Sequence, residues 1–350
     1  MPGQPNSNGP AMGRDLDGRE VPIFDKNQSI EAYTRQHVGV PDGEVTLGGI
    51  FRAMALGGGS HAIRAALAEG TDSAGGYSVP SVLLAPVIDL LRARSTVFQA
   101  GARTVLLDSL KTTICAIASD PTAAWRAENA DVAASDMTFA PVTFTARSLG
   151  VIVTASQELL EDSLNVDESI RRALGSSFAA ELDRVSLLGT GTAPEPKGVS
   201  KVAGVGSYSM GASGAALSDY SPFIEALAIL QTANAVDPTA AIMSPRTAKA
   251  INSLQDTLHQ PLQRPTAIAN LPFLVTSKLP INETQGGSSA ASRIIMGNFP
   301  DLMVGIRSAF RIQVLQEKYA DKLQIGFLAT LRADVAVAHA ASFCQIVGVL

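Results

Sequence analysis

The chain has 350 residues, 46% hydrophobic and 17% charged, with a formal net charge of −5. That length suits two domains or one elaborate one, and the charge fraction lies below the roughly one quarter usual in soluble domains. With no strongly basic block, the charge argues against a tightly held nucleic-acid ligand, though not against a surface that merely borders one. Cys115 and Cys344 are the only cysteines; two distant thiols fit a reducing compartment and no disulfide framework. No apolar run approaches the roughly 20 residues that span a bilayer, and the N-terminus lacks a signal-peptide pattern, so a chain made in the cytosol is expected.

In chain order, residues 1 to about 27 are rich in Gly, Pro, Asn and Asp and are expected to carry no regular structure. Three short helix candidates follow, around Ile30–Val38, Leu47–Leu56 and His61–Ala68, each too short to stand alone in water. After a polar, small-residue linker (69–77), a helix is expected from about Leu83 to Arg94 and a strand over Arg103–Leu107. Residues 108 to 150 contain two β-prone runs, Lys111–Ile117 and Phe139–Thr145, separated by a polar stretch that holds the only Trp. They predict a long two-stranded arm with a polar tip, which is marginal alone and needs something to lie on. Ser148–Ala155 is a candidate buried strand.

The next stretch predicts one long amphipathic helix, Val166–Leu188. Ile170, Leu174, Phe178, Leu182, Val185 and Leu188 recur every three or four residues, whereas Arg171, Arg172, Glu181 and Arg184 lie off that face. Asn165 can cap its start with Glu168 reaching back. Gly189 is placed to end it in a left-handed conformation, and Pro194 and Pro196 forbid its resumption. Such a bar needs a long partner. Beyond Gly198 the spacing predicts a helix from Pro222 to about Ala235, a strand over Ala240–Met243 and a helix capped by Ser244 with Pro245 in first position. Strands are expected over Asn270–Thr276, Arg293–Met296, Met303–Ile306, Phe310–Leu315, Leu323–Arg332, Val335–His339 and Cys344–Val349.

The residues give little chemistry. His37, His61, His259 and His339 are scattered without metal-ligand spacing, and His339 fits a packed residue better than a ligand. Gly211-Ala212-Ser213-Gly214 lacks the spacing of a nucleophile elbow. Gly189-Thr190-Gly191-Thr192 follows a helix, whereas phosphate loops follow a strand, so a helix stop is the better reading. Glu158, Glu161 and Asp162 fit a solvated first-turn cluster, and Lys111 a solvated arm lysine. No cofactor, metal or enzyme activity is expected. Trp125 stands out: it is either a local loop anchor or an aromatic anchor between subunits, with Arg126, Glu128 and the nearby acids as a polar rim.

Several pieces in order carry a resemblance over about residues 70 to 350. They are Gly75–Pro80, LLRARSTVFQAGAR (90–103), DPTAAWRAENADVAASDMTF (120–139), SQELLEDS (156–163), the long helix, GTGTAPEPKGV (189–199), Met243–Arg246, Leu271–Phe273, Ile295–Phe299 and Ala338-His339. This order resembles the major capsid protein family of tailed bacteriophages, with the α+β Hong Kong 97-like capsid fold. The resemblance implies an N-terminal arm (70–85), a peripheral domain (86–107, 148–202 and 299–330) with the long helix as its spine, an extended loop (108–147) and an axial domain (203–298 and 331–350). Residues 1–69 lie outside it; some members carry a removable scaffolding segment there, and retention is slightly favoured here. Self-assembly into hexamers and pentamers of an icosahedral virion shell in the host cytoplasm is implied, with DNA bordering the inner face and no membrane. Scaffolding, portal, protease and decoration proteins are implied as possible partners. Tyr77, Lys111, Trp125, Arg126 and Glu128 become candidate intersubunit contacts. Some members weld their shells through a lysine, an asparagine and a glutamate; the matching positions hold Val132, Asp321 and Arg332–Ala333, so no such crosslink is expected. The rival within the same fold is an encapsulin-like compartment housing a cargo enzyme.

Overall fold

The computed structural model describes residues 9–15, 18–38, 77–79, 81–119, 138–156, 158, 166–307, 310–315 and 317–350. In chain order the first elements are β1 (Ala11–Arg14), β2 (Glu20–Phe24), α1 (Ile30–Val38), β3 (Tyr77–Val79), α2 (Ser81–Arg94), α3 (Thr96–Ala100), β4 (Arg103–Leu107), β5 (Lys111–Ser119), β6 (Thr138–Thr145), β7 (Arg147–Ser156) and α4 (Val166–Leu188). There follow β8 (Gly206–Ser209), α5 (Ser221–Thr232), β9 (Ala240–Met243), α6 (Pro245–Asn252), β10 (Phe273–Val275), β11 (Glu283–Gln285), β12 (Ser288–Gly297), β13 (Leu302–Arg307), β14 (Phe310–Leu315), β15 (Gln324–Val337) and β16 (Phe343–Val349). The helix candidates at Leu47–Leu56 and His61–Ala68 fall outside the described residues.

β15 organises the larger sheet. Its residues 333–337 pair antiparallel with β13 and its residues 326–330 with β14, while β7 pairs with it over 324–333. β4 extends the sheet parallel to β13, β2 and β1 follow on that side, and β3 closes the other edge on β14. Ile325, Phe327, Ala329, Leu331, Ala333 and Val335 are all buried. They alternate along the strand, so they share one face.

That face meets α4. Ile170, Leu174, Phe178, Leu182 and Val185 are buried and join the same core as the β15 residues. At 1.5 Å per residue the 23-residue helix is about 34 Å long. α2 packs beside it, and Gly175 lets Leu90 approach closely: a Cβ there would lie 3.2 Å from Leu90 Cδ2.

A second, six-stranded sheet has the order β10-β9-β12-β16-β8, with β11 on β12. α5 and α6 cover it through Phe223, Leu230, Ile251, Ile294, Met296 and Ile346. α6 starts as its sequence dictates: Ser244 is its N-cap, Thr247 N–H donates to Ser244 Oγ at 3.3 Å, and Pro245 stands in the first turn. α5 stops at Thr232, short of Ala235, where Asn234 takes a left-handed φ of 50°. Ala240, Ile242, Ile295, Phe299 and Phe343 join the core of the larger sheet, so one apolar interior runs through both.

Four expectations are corrected. Residues 11–24, expected without regular structure, form the β1–β2 hairpin, because Val21 and Phe24 find a buried partner in the distant β4. The two strands expected at Leu323–Arg332 and Val335–His339 are one continuous strand, β15. Gly189 is not left-handed; the positive φ of this loop, 78°, is at Gly191. Gly189 is required instead by close approach, since a Cβ would lie 2.4 Å from Pro196 O and 2.6 Å from Val185 O. His339 is exposed, not packed. The cap expected at Asn165 lies outside the described residues.

Phe178 is 1% exposed at the centre of the α4 stripe. Phe178→Ala is expected to destabilise the subunit by about 3–5 kcal/mol in urea unfolding; a loss below about 1 kcal/mol would show that α4 is not the core's main wall.

Candidate functional site

The geometry converges on the root of an arm. β5 and β6 pair antiparallel from Lys111 opposite Thr145 to Ser119 opposite Thr138, as a two-stranded sheet separate from the other two. At its base Ile114, Val142 and Phe144 are buried with Val21, Val105, Leu107 and Ala146. Thr113 and Thr143 hydroxyls, on opposite strands, lie 3.1 Å apart.

A buried carboxylate pins that root to β15. Asp334 is 7% exposed. Its Oδ2 accepts Thr145 N–H at 2.6 Å and its Oδ1 accepts Val335 N–H at 2.9 Å. Burial pushes its carboxyl above the usual range, opposed by these backbone bonds and by Arg147. A second buried carboxylate, Asp183 of α4, holds the start of α3. It accepts Ser95 Oγ–H at 2.5 Å, Thr96 N–H at 2.9 Å and Val97 N–H at 3.1 Å. Burial is again the leading cause of its raised pKa.

The C-terminal end of α4 carries an ion network. Arg184 donates to Glu181 at 2.6 Å and also bonds Glu195. Glu195 Oε2 accepts Thr190 Oγ1–H at 2.6 Å and Thr190 N–H at 3.2 Å, and the Thr190 hydroxyl is the main cause of its lowered pKa. Arg147, the first residue of β7, donates to Glu195 O. The loop's donors thus serve the chain's own carboxylate, which accords with a helix stop rather than a phosphate site. Leu149, Leu182, Val185 and Pro194 line the adjoining cavity of about 240 Å³.

Of the expected contact residues, Lys111 is exposed at the first position of β5. Tyr77 opens β3, paired with Ile312 at the far edge of the larger sheet. The two stand on different sheets. Trp125, Arg126 and Glu128 lie outside the described residues. Asp183, Asp334, Arg147 and Glu195 were not singled out in the sequence. The available signal for Asp334 is a lone acid in the apolar run ADVAVAH, whereas Asp183 stands between Leu182 and Arg184 with Glu181 nearby and carries no such signal. Among the described residues no His, Cys, Asp and Glu cluster could hold a metal ion, and no helix is long and apolar enough to cross a membrane.

Residues 75–348 match the phage capsid family. The chain belongs to that family, one of structural proteins. Over 126 residues it is 28% identical to the major capsid protein of Klebsiella oxytoca phage phiKO2, covering 36% of this chain and 29% of that relative. The match therefore spans less than a third of the relative's length. The capsid of a native GTA particle aligns with a TM-score of 0.57 at 19% identity, covering 73% of this chain and 91% of that one. A chain of Mycobacterium phage Bobi aligns with a TM-score of 0.56 at 18% identity, covering 72% and 90%. The fold is Hong Kong 97-like.

A carboxyl with a raised folded pKa adds most stability below its unfolded value, about 3.9, and that stability is lost as pH rises through the folded value. Asp183→Asn removes this titration. The stability advantage of wild type over the variant is expected to widen as pH falls from 7 toward 4; an advantage that narrows would contradict the assigned direction.

Proposed function

We propose that this chain is a major capsid protein whose copies assemble as hexamers and pentamers into an icosahedral shell around a phage double-stranded DNA genome. The observation that carries this reading is the β5–β6 ribbon. Its root is built into the core, yet among the described residues its strands pair only with each other, apart from a single bridge from Asp15 to Ile114. A lone two-stranded ribbon is marginal in water and gains stability by lying on a neighbour. The larger sheet with α4 serves as the peripheral domain and the six-stranded sheet as the axial domain that meets other copies at capsomer centres. Each contact can be weak, because closure on a lattice multiplies them through effective concentration. The net charge of −5 suits an inner surface that borders DNA without gripping it. Assembly takes place in the host cytoplasm, and scaffolding, portal, protease and decoration functions come from other chains. The phage and GTA relatives favour this shell over an encapsulin-like compartment.

Trp125, in the stretch between the arm strands, is the proposed anchor of the clasp, with Arg126 and Glu128 beside it; Lys111 and Tyr77 complete the proposed intersubunit contacts. Trp125→Ala is expected to cut shell yield at least tenfold in sedimentation velocity, with the unfolding midpoint of the subunit unchanged. Loss of subunit stability instead would make Trp125 a local core residue.

A further inference from the structure

The family match begins at residue 75, so it assigns nothing to residues 9–38. Yet that segment is deeply built in. β2 adds to the edge of β4 through Ile23–Val105 and Phe24–Thr104 pairs. Phe24 and Ile30 are 0% and 1% exposed and join the same core as Leu91 and Phe98. α2 supplies two matched fasteners. Asp89 caps α1, accepting Ser29 Oγ–H at 2.7 Å and the N–H groups of Ile30 and Glu31, each at 3.1 Å. Arg92, 6% exposed, donates to Gln28 O and to Asp25 O, both at 2.6 Å. Asp25 also pairs with Arg103 at 2.9 Å.

The hairpin's other contacts fall on the arm root. Val21 lies in the cluster with Ile114, Val142 and Phe144. Thr113 N–H donates to Asp15 Oδ1 at 3.4 Å, and Asp15 bridges to Ile114. Gly13 sits between Ile23 and Ile114, where a Cβ would lie 3.1 Å and 3.8 Å from their side chains.

We infer that residues 11–38 are a permanent brace of the extended arm, docked in a groove formed by the β4 edge, α2 and the arm root, and not a removable scaffolding segment. The occupant is fixed by backbone pairing along β4, by the Asp89 cap and by two buried aromatic and aliphatic side chains, so it is held without help from the covalent connection through residues 39–76. Cutting that connection leaves the brace in place. This follows from contacts within one subunit and does not depend on the shell reading.

The test inserts a specific protease site between Gly57 and Gly58 of the full chain. After cleavage in native buffer, the two pieces are expected to co-elute in size exclusion, with both masses found in one peak. Asp89→Ala, and separately Phe24→Ser within the brace itself, are expected to raise release of the N-terminal piece at least tenfold. In either variant the Thr112–Ile114 amides are expected to exchange at least tenfold faster, while those of β12 and β16 stay unchanged. Separation of the wild-type pieces without denaturant would overturn the inference. So would equal retention in both variants, or arm exchange that does not change when the brace leaves. If Asp89→Ala does not fold, Phe24→Ser, which leaves every residue of the docking groove intact, decides alone.

Discussion

The packing of α4 on β15 is the constraint on which the remaining structure hangs. A strand exposes every second side chain to one face, and a helix exposes a stripe at positions three and four apart. Here the odd-numbered residues from Ile325 to Val335 and the stripe from Ile170 to Val185 belong to one apolar core. β7 pairs along the opposite edge of β15 from β13 and β14, and leads on toward α4. The arm leaves after β4 and returns into β7, so both of its ends are anchored in strands of one sheet.

Carboxylates serve as fasteners. The buried Asp183 and Asp334 and the half-buried Asp89 each accept backbone N–H groups from a neighbouring element. A buried carboxylate is costly unless its lone pairs are satisfied, and here the donors are amide groups at helix starts or strand ends that would otherwise lack partners. Arg184, Glu181 and Glu195 do the same at the surface, where they close the loop after α4. Exposed pairs of this kind contribute little energy, and their part is to set the geometry of the turn.

Where local pattern and tertiary packing agree, the sequence was informative. The bounds of α4 follow from periodicity with start and stop signals, those of β14 from alternation, and the start of α6 from its Ser244-Pro245 cap. The arm's two strands were legible because β-prone runs flank a polar stretch. The β1–β2 hairpin was not, because Val21 and Phe24 stand among turn-forming residues and their partner β4 lies far along the chain. β15 looked like two strands because Arg332 and Asp334 interrupt its apolar run; the Thr145 and Val335 amides explain how an acid is tolerated there. Gly189 was correctly placed at the helix end but for the wrong reason, since close backbone approach leaves no local sequence pattern. The family was legible because it rests on the order of many short pieces and not on any one of them. The candidate contacts are harder: Lys111 and Tyr77 stand apart, and an intersubunit surface has no partner within one chain to reveal it.

Self-assembly is the property toward which the capsid family and the self-paired arm point. Electron microscopy of the purified full-length protein over a range of concentrations reads it directly. Closed shells, or the rings of six and five subunits that build them, are the expected result. A small discrete oligomer or a monomer at every concentration would contradict the assignment.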